Sequence, residues 1–179
     1  MNATLCAEAM TCTIRPGVLS DAAAACEVVR RSIVELCFSD HHGDSDRVAA
    51  WLANKTPPNF ERWIASEQHI AIVADMDGVL VGFGLLNRVG TIELLYVSPD
   101  ARSCGVSKGL LAALEEEAKV AGVRELTLES SLTALLFYSR RGYTRTASPC
   151  KGVGVTTCYP MSKPIAAVTG GSIDGVPSA

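Results

Sequence analysis

The chain has no basic run, no long apolar stretch and no C-x-x-C pair, and each absence removes a class of protein. Nucleic-acid binding needs clustered Lys and Arg to meet phosphates. Here 16 Lys and Arg stand against 19 Asp and Glu, a formal net charge of -3, so no nucleic-acid partner is expected. A helix that crosses a membrane needs about 20 consecutive apolar residues, and no run approaches that, so no membrane partner is expected either. The seven cysteines (Cys6, Cys12, Cys26, Cys37, Cys104, Cys150 and Cys158) are odd in number and scattered, unlike a disulfide framework or a zinc ribbon. Several lie in apolar stretches, where a free thiol behaves as a small hydrophobe, which predicts free thiols in a reducing cytoplasm. The opening MNATLCAEAM lacks a basic n-region and an apolar h-region. It reads as a loose extension over residues 1–10, with Met10 a candidate start, and not as a secretory signal.

What is present suits one globular domain. With 179 residues, 48% hydrophobic and 20% charged, the chain can bury a full core without metal or disulfide staples. Cys12–Pro16 is strand-like, and Ser20 or Asp21 can cap a helix bearing Ala25, Val28, Val29, Ile33 and Leu36 at helical spacing. The polar Ser39–Asp44 predicts a loop, Ser45 a cap for a second helix through Trp51 and Leu52, and Pro57-Pro58 the end of that helix. One or two further turns follow over Asn59–Ser66. His69–Asp75 and Val79–Leu86 read as a hairpin around Asp77-Gly78, followed by a strand over Thr91–Val97. A long helix from about Gly105 to Ala121 stops at Gly122. A strand over Glu125–Ser130, a helix over Thr133–Arg141 and strands at Tyr143–Ala147 and Val155–Met161 complete a mixed α/β (α+β) domain over residues 11–165. Residues 166–179 read as a disordered tail.

The chemistry concentrates where Thr91–Val97 ends at Ser98-Pro99 and the long helix begins around Gly105. Free N–H groups at a helix start, with the positive end of its dipole, bind anions. Gly105 leaves room for a phosphate to reach the backbone, and Arg102 and Lys108 add positive charge on either side. The plain alternative is a helix start with a glycine kept for packing.

Context favours the anion site. Arg102, Gly105 and Ser107, after a strand ending Val97-Ser-Pro99, occupy the marked positions of a motif that resembles the acetyl-CoA-binding turn of the GNAT acetyltransferases. The similarity continues through Leu110-Leu111, Gly122 and the strand Leu126-Thr-Leu-Glu-Ser-Ser to Ala134-Leu-Leu-Phe-Tyr-Ser-Arg-Arg-Gly-Tyr143. It runs from about Ile14 to Pro164 and is strongest over 91–143. Two departures stand out: Ser103-Cys104 follow the arginine where the family has glycine, and Ser107 replaces glycine or alanine.

The resemblance implies a mixed, mostly antiparallel sheet of about seven strands flanked by about four helices. It implies acetyl-CoA as cosubstrate, with the backbone of Leu95, Tyr96 and Val97 pairing with pantetheine. Arg102, Ser103, Cys104, Gly105, Val106, Ser107 and Lys108 would hold the pyrophosphate. Tyr138 stands where the family places the phenol that protonates the leaving thiolate. Glu93, two residues before Leu95, is the candidate base or water holder, and Glu129 on the adjacent strand competes with it. The expected reaction is direct acetyl transfer to a primary amine of a small molecule. A peptide or protein amine and a non-catalytic acyl-CoA sensor stay open, as do monomer and homodimer.

The loop Asp40-His41-His42-Gly43-Asp44-Ser45-Asp46 carries ligand-type residues, but adjacent ligands in a loop rarely close a site, and no metal is expected. By position, a carboxylate-rich loop there would favour a cationic amine. Gly82-x-Gly84 and Gly152-x-Gly154 lack the third glycine of a dinucleotide fingerprint and read as strand or turn glycines. Trp51 and Trp63 read as core.

Overall fold

A computed structural model describes residues 12–152 and 157–166. The extension over 1–10, Cys6, the first two residues of the strand expected at Val155–Met161 and the tail beyond Ala166 lie outside the described residues. The elements run β1 (Cys12–Pro16), α1 (Ala22–Leu36), α2 (Phe38–His41), α3 (Ser45–Leu52), α4 (Pro57–Ala65), β2 (His69–Met76), β3 (Val79–Asn87) and β4 (Thr91–Val97). They continue with α5 (Val106–Val120), β5 (Glu125–Ser130), α6 (Leu132–Ser139), β6 (Thr144–Arg145) and β7 (Tyr159–Pro164).

All seven strands join one sheet in the order β1-β2-β3-β4-β5-β7-β6. Every neighbouring pair is antiparallel except β4 and β5. Each face carries its own core. On one, α5 and α6 cover Ile72, Leu86, Ile92, Leu126 and Leu128. On the other, α1, α3 and α4 cover Val73, Phe83, Leu85 and Leu94. Phe60 and Phe83 are fully buried there with ring centroids 5.1 Å apart, each worth roughly 2–3 kcal/mol in removed apolar surface.

The glycines of β3 set how closely α5 approaches. A Cβ at Gly82 would lie 2.7 Å from Leu110 and 2.9 Å from Val106, and one at Gly84 would lie 3.0 Å from Leu114. The helix therefore lies flat on the strand, and its first turn sits beside the end of β4.

The first half departs from the sequence reading in three places. The stretch expected as a loop contains the helical turn α2, because Asp40 and His41 find buried partners. Asp44, not Ser45, caps α3, its Oδ1 accepting from the N–H of Asp46 (3.0 Å) and Arg47 (3.1 Å). Pro57-Pro58 begin α4 and do not end α3: at the first helical positions the missing N–H is no loss. The α-helices thus number six among the described residues, with two short 3-10 turns besides, against about four helices expected. The last strand also starts later than expected, at Tyr159.

Candidate active site

β4 and β5 pair only at Thr91 with Thr127 and Ile92 with Leu128, then diverge. On its other side β4 stays paired with β3 through Val97, with a bulge that leaves Glu93 as the extra residue between Ile92 and Leu94. The divergence opens a cleft of about 660 Å³ through the sheet. Its lining includes Leu94, Leu95, Tyr96 and Val97 of β4, Arg102 and Ser107 at the start of α5, and Phe137 and Tyr138 of α6.

The turn into α5 is built from backbone. Ser103 (φ 68°) and Gly105 (φ 80°) both adopt the left-handed conformation, and a Cβ at Gly105 would meet nothing within 4 Å. The N–H groups of Val106, Ser107 and Lys108 precede the first bond that α5 can form internally, so they face outward unpaired by the helix. Arg102, Ser103 and Lys108 are exposed, whereas the Val106 side chain is buried in the core and offers the site its N–H alone. The arrangement suits an anion held by backbone donors with two cations beside it.

The cysteines correct the free-thiol expectation. Cys150 and Cys158 form a disulfide across an antiparallel bridge, and Cys104 is disulfide-bonded as well. The thiols sit on facing backbone positions that only folding brings together, which sequence spacing does not reveal. Cys26 and Cys37 are free and buried, Cys12 free and exposed. Cys158 and Gly152 line the cleft beside Glu129. The Glu129 carboxylate and the two sulfurs lie within 4.8 Å of one another, but the sulfurs are bonded to each other.

Tyr138 is the buried residue of α6 and also lines the cleft, its ring edge-on to Phe137 (5.1 Å) and Tyr143 (5.4 Å). It points further inward than a helix-edge position would place it. Desolvation pushes its phenol well above the ordinary range, which keeps it protonated at neutral pH. Tyr96 is a second phenol of the cleft that sequence reasoning credited only with its backbone. Desolvation, with the Cys37 thiol adding to it, raises Tyr96 as well, and a hydrogen bond to Trp51 pulls the other way.

Glu93 and Glu129 both line the cleft. The bulge interrupts the alternation that would place Glu93 and Leu95 on one face. Glu93 instead meets Nε2 of His69 at 3.3 Å and accepts from Asn87 Nδ2 at 3.4 Å. The other ring nitrogen of His69 lies 3.1 Å from Ser66 Oγ. His69, on β2 and separated from β4 by β3, had no signal in the sequence that would reveal it. On β5 the alternation is regular: Leu126, Leu128 and Ser130 are buried and Glu129 is exposed on the opposite face.

The acidic loop does not face the cleft. Asp40 is buried and caps α6, its carboxylate accepting from Leu132 N–H (2.6 Å), Thr133 N–H (3.2 Å) and Thr133 Oγ1 (2.5 Å). His41 is buried too. Its Nδ1 accepts from Gly43 N–H (3.0 Å), which leaves the proton on Nε2 to donate to Ile33 C=O (3.2 Å). The expected role in favouring a cationic amine is therefore corrected: Asp40 holds α2 against α6, and His41 ties it to α1. The cleft's far wall comes instead from Ser32, Leu36, Cys37, Trp51, Asn54 and Lys55. Trp51 belongs to the core and to this wall together.

Comparison with known proteins agrees with this geometry. Residues 40–165 match the family model of the acetyltransferase (GNAT) domain. An IAA acetyltransferase of Azospirillum brasilense is 30% identical over 80 residues, which is 40% of this chain and 52% of that protein, so the match spans about half of the relative. A GCN5-related N-acetyltransferase from Rhodopseudomonas palustris superposes with a TM-score of 0.77 at 28% identity, covering 88% of this chain and 99% of that one. PaiA N-acetyltransferase from Thermoplasma acidophilum, solved in complex with coenzyme A, shares the fold with a TM-score of 0.74 at 20% identity over 87% of this chain and 100% of that one. A sheet parted between its one parallel strand pair, a glycine-led helix start at the opening and a phenol facing it are thus features of a chain that belongs to the GNAT family of acetyltransferases.

Proposed function

We propose that this domain, over residues 11–165, transfers the acetyl group of acetyl-CoA directly to a primary amine of a small molecule. The observation that carries the reading is the cleft itself, which joins the free N–H groups at the start of α5 to a buried phenol and two carboxylates. The solved relative in complex with coenzyme A supports the choice of donor.

In this reading Arg102, Lys108 and the N–H groups of 103–108 take the pyrophosphate, and the backbone of Leu95–Val97, freed from β5, pairs with pantetheine. Glu93, or Glu129 in its place, takes the proton of the attacking ammonium. The nitrogen then forms a bond to the thioester carbon, the carbon–sulfur bond breaks, and the new amide nitrogen sheds its second proton. Tyr138, which lines the cleft, gives its proton to the departing sulfur and is reprotonated by the one the nitrogen sheds.

The test is release of free thiol from acetyl-CoA by the purified chain, screened against polyamines, aminoglycosides, amino acids and peptides. Acceptor-dependent release is expected. Release with none of them, or only with peptides, overturns the small-amine reading.

A further inference from the structure

Lys55 carries a buried charge for which the described residues supply no counter-charge. The residue is 7% exposed. Its ammonium donates to Asn54 Oδ1 at 2.5 Å, and among the described residues no carboxylate pairs with it. A lysine usually buries its stem and leaves its head in water, or is paired when buried. Desolvation accordingly holds the Lys55 ammonium below the usual lysine range. A side chain kept in this condition loses stability unless something enters to meet it.

The backbone around it is fixed. Cys26 Sγ (3.3 Å) and Arg30 Nη1 (2.9 Å) donate to the Lys55 C=O, and Lys55 N–H donates to Leu52 C=O at 2.9 Å. The carbonyl is thereby turned onto α1, and the side chain is what Lys55 offers the cleft, where it stands with Asn54 and Trp51. The same cleft holds Glu93 and Glu129 on the sheet. One cleft thus contains, apart from Arg102 at the start of α5, a single cation on its helical wall and carboxylates on its sheet wall.

We propose that Lys55 receives an anionic group of the acceptor, so that the cleft takes an amino carboxylate with its amine toward Glu93 and Glu129 and its carboxylate toward Lys55. This rests on the acetyl-transfer reading and adds the class of acceptor. With Arg102 engaged by the pyrophosphate, the ammonium of Lys55 matches a monoanion, and a dianionic phosphate would face two carboxylates with that one cation to balance it. Asn54 can donate through its amide nitrogen to the second carboxylate oxygen while its oxygen stays on Lys55.

Phenylacetate, phenylacetamide and phenyl phosphate, titrated calorimetrically into the coenzyme A-loaded chain, separate these chemistries without requiring turnover. The native protein is expected to bind phenylacetate at least about tenfold more tightly than phenylacetamide. Lys55→Met, which keeps most of the stem, is expected to erase the difference while coenzyme A affinity and melting temperature show that the fold is intact. Equal or undetectable binding of phenylacetate and phenylacetamide by the native chain overturns the proposal, as does a preference for phenyl phosphate or one that survives in Lys55→Met. Turnover of phenylalanine against phenethylamine supplies the second arm. Equal kcat/KM for both retains acetyl transfer and removes the Lys55 site, whereas carboxylate binding with no turnover of any amine retains the site and removes acetyl transfer.

Discussion

The two walls of the cleft are made of different material. The wall at the start of α5 is backbone: left-handed Ser103 and Gly105, free N–H groups, and a helix brought close by two glycines in β3. The wall opposite is side chain: Ser32 and Leu36 from α1, Trp51 from α3, Asn54 and Lys55 from the segment after it. A backbone site recognises a group common to every donor of one kind and tolerates little change. A side-chain wall can be altered residue by residue without disturbing the fold. That division suits an enzyme that keeps one cosubstrate and varies its acceptor.

The largest expected effect comes from filling the backbone wall. Gly105→Glu brings a carboxylate to the anion site and a side chain to φ 80°, and no neighbour lies within 4 Å to unfold the chain by collision. Acetyl-CoA affinity should fall by about 10³-fold, since like charge at close range costs several kcal/mol. Calorimetric titration of a folded Gly105→Glu protein with unchanged affinity removes the pyrophosphate assignment.

The two phenols sharpen the comparison next, one from each core. Tyr138 is part of the core under α5 and α6, while Tyr96 packs against the core under α1. If Tyr138 protonates the leaving thiolate, Tyr138→Phe should lower kcat by about 10²-fold and leave acetyl-CoA affinity nearly unchanged. Tyr96→Phe should cost far less. The reverse ranking exchanges their roles.

Of the carboxylates, Glu93→Gln should reduce kcat/KM by up to about 10²-fold. If Glu93→Gln costs only a few-fold while Glu129→Gln abolishes turnover, the proton leaves through β5 and not through the bulge of β4.

The smallest effect concerns the joint between the regions. Asp40 reaches from α2 to the first N–H groups of α6, the helix that carries Tyr138. Asp40→Ala leaves those donors without their partner and should cost about 2 kcal/mol, or about 5 °C in melting temperature. A fall in kcat alongside that loss would show that α2 helps to position the phenol.

The motif half of the site was legible because its chemistry is local. Helix starts, a glycine that must be left-handed and a strand closed by Val97-Ser-Pro99 are written in consecutive residues. The other half was not. Asp40 resembled an exposed loop acid, whereas α6 brings its first N–H groups to it, and Pro57-Pro58 resembled a stop, whereas they open α4 after Thr56. Lys55 carried no signal in the sequence, and its burial comes from α1 closing over a segment more than 20 residues away.

The order of elements from β2 to α6, the glycine-led turn into α5 and the family follow from the sequence alone, because strand and helix periodicity and a helix start depend on neighbours in the chain. The disulfide of Cys150 with Cys158, the pairing of Glu93 with His69, the burial of Tyr138 and the uncompensated charge of Lys55 were decided by tertiary structure. Each depends on desolvation or on contact between distant segments. Neither quantity exists until the sheet has formed and both of its faces are covered.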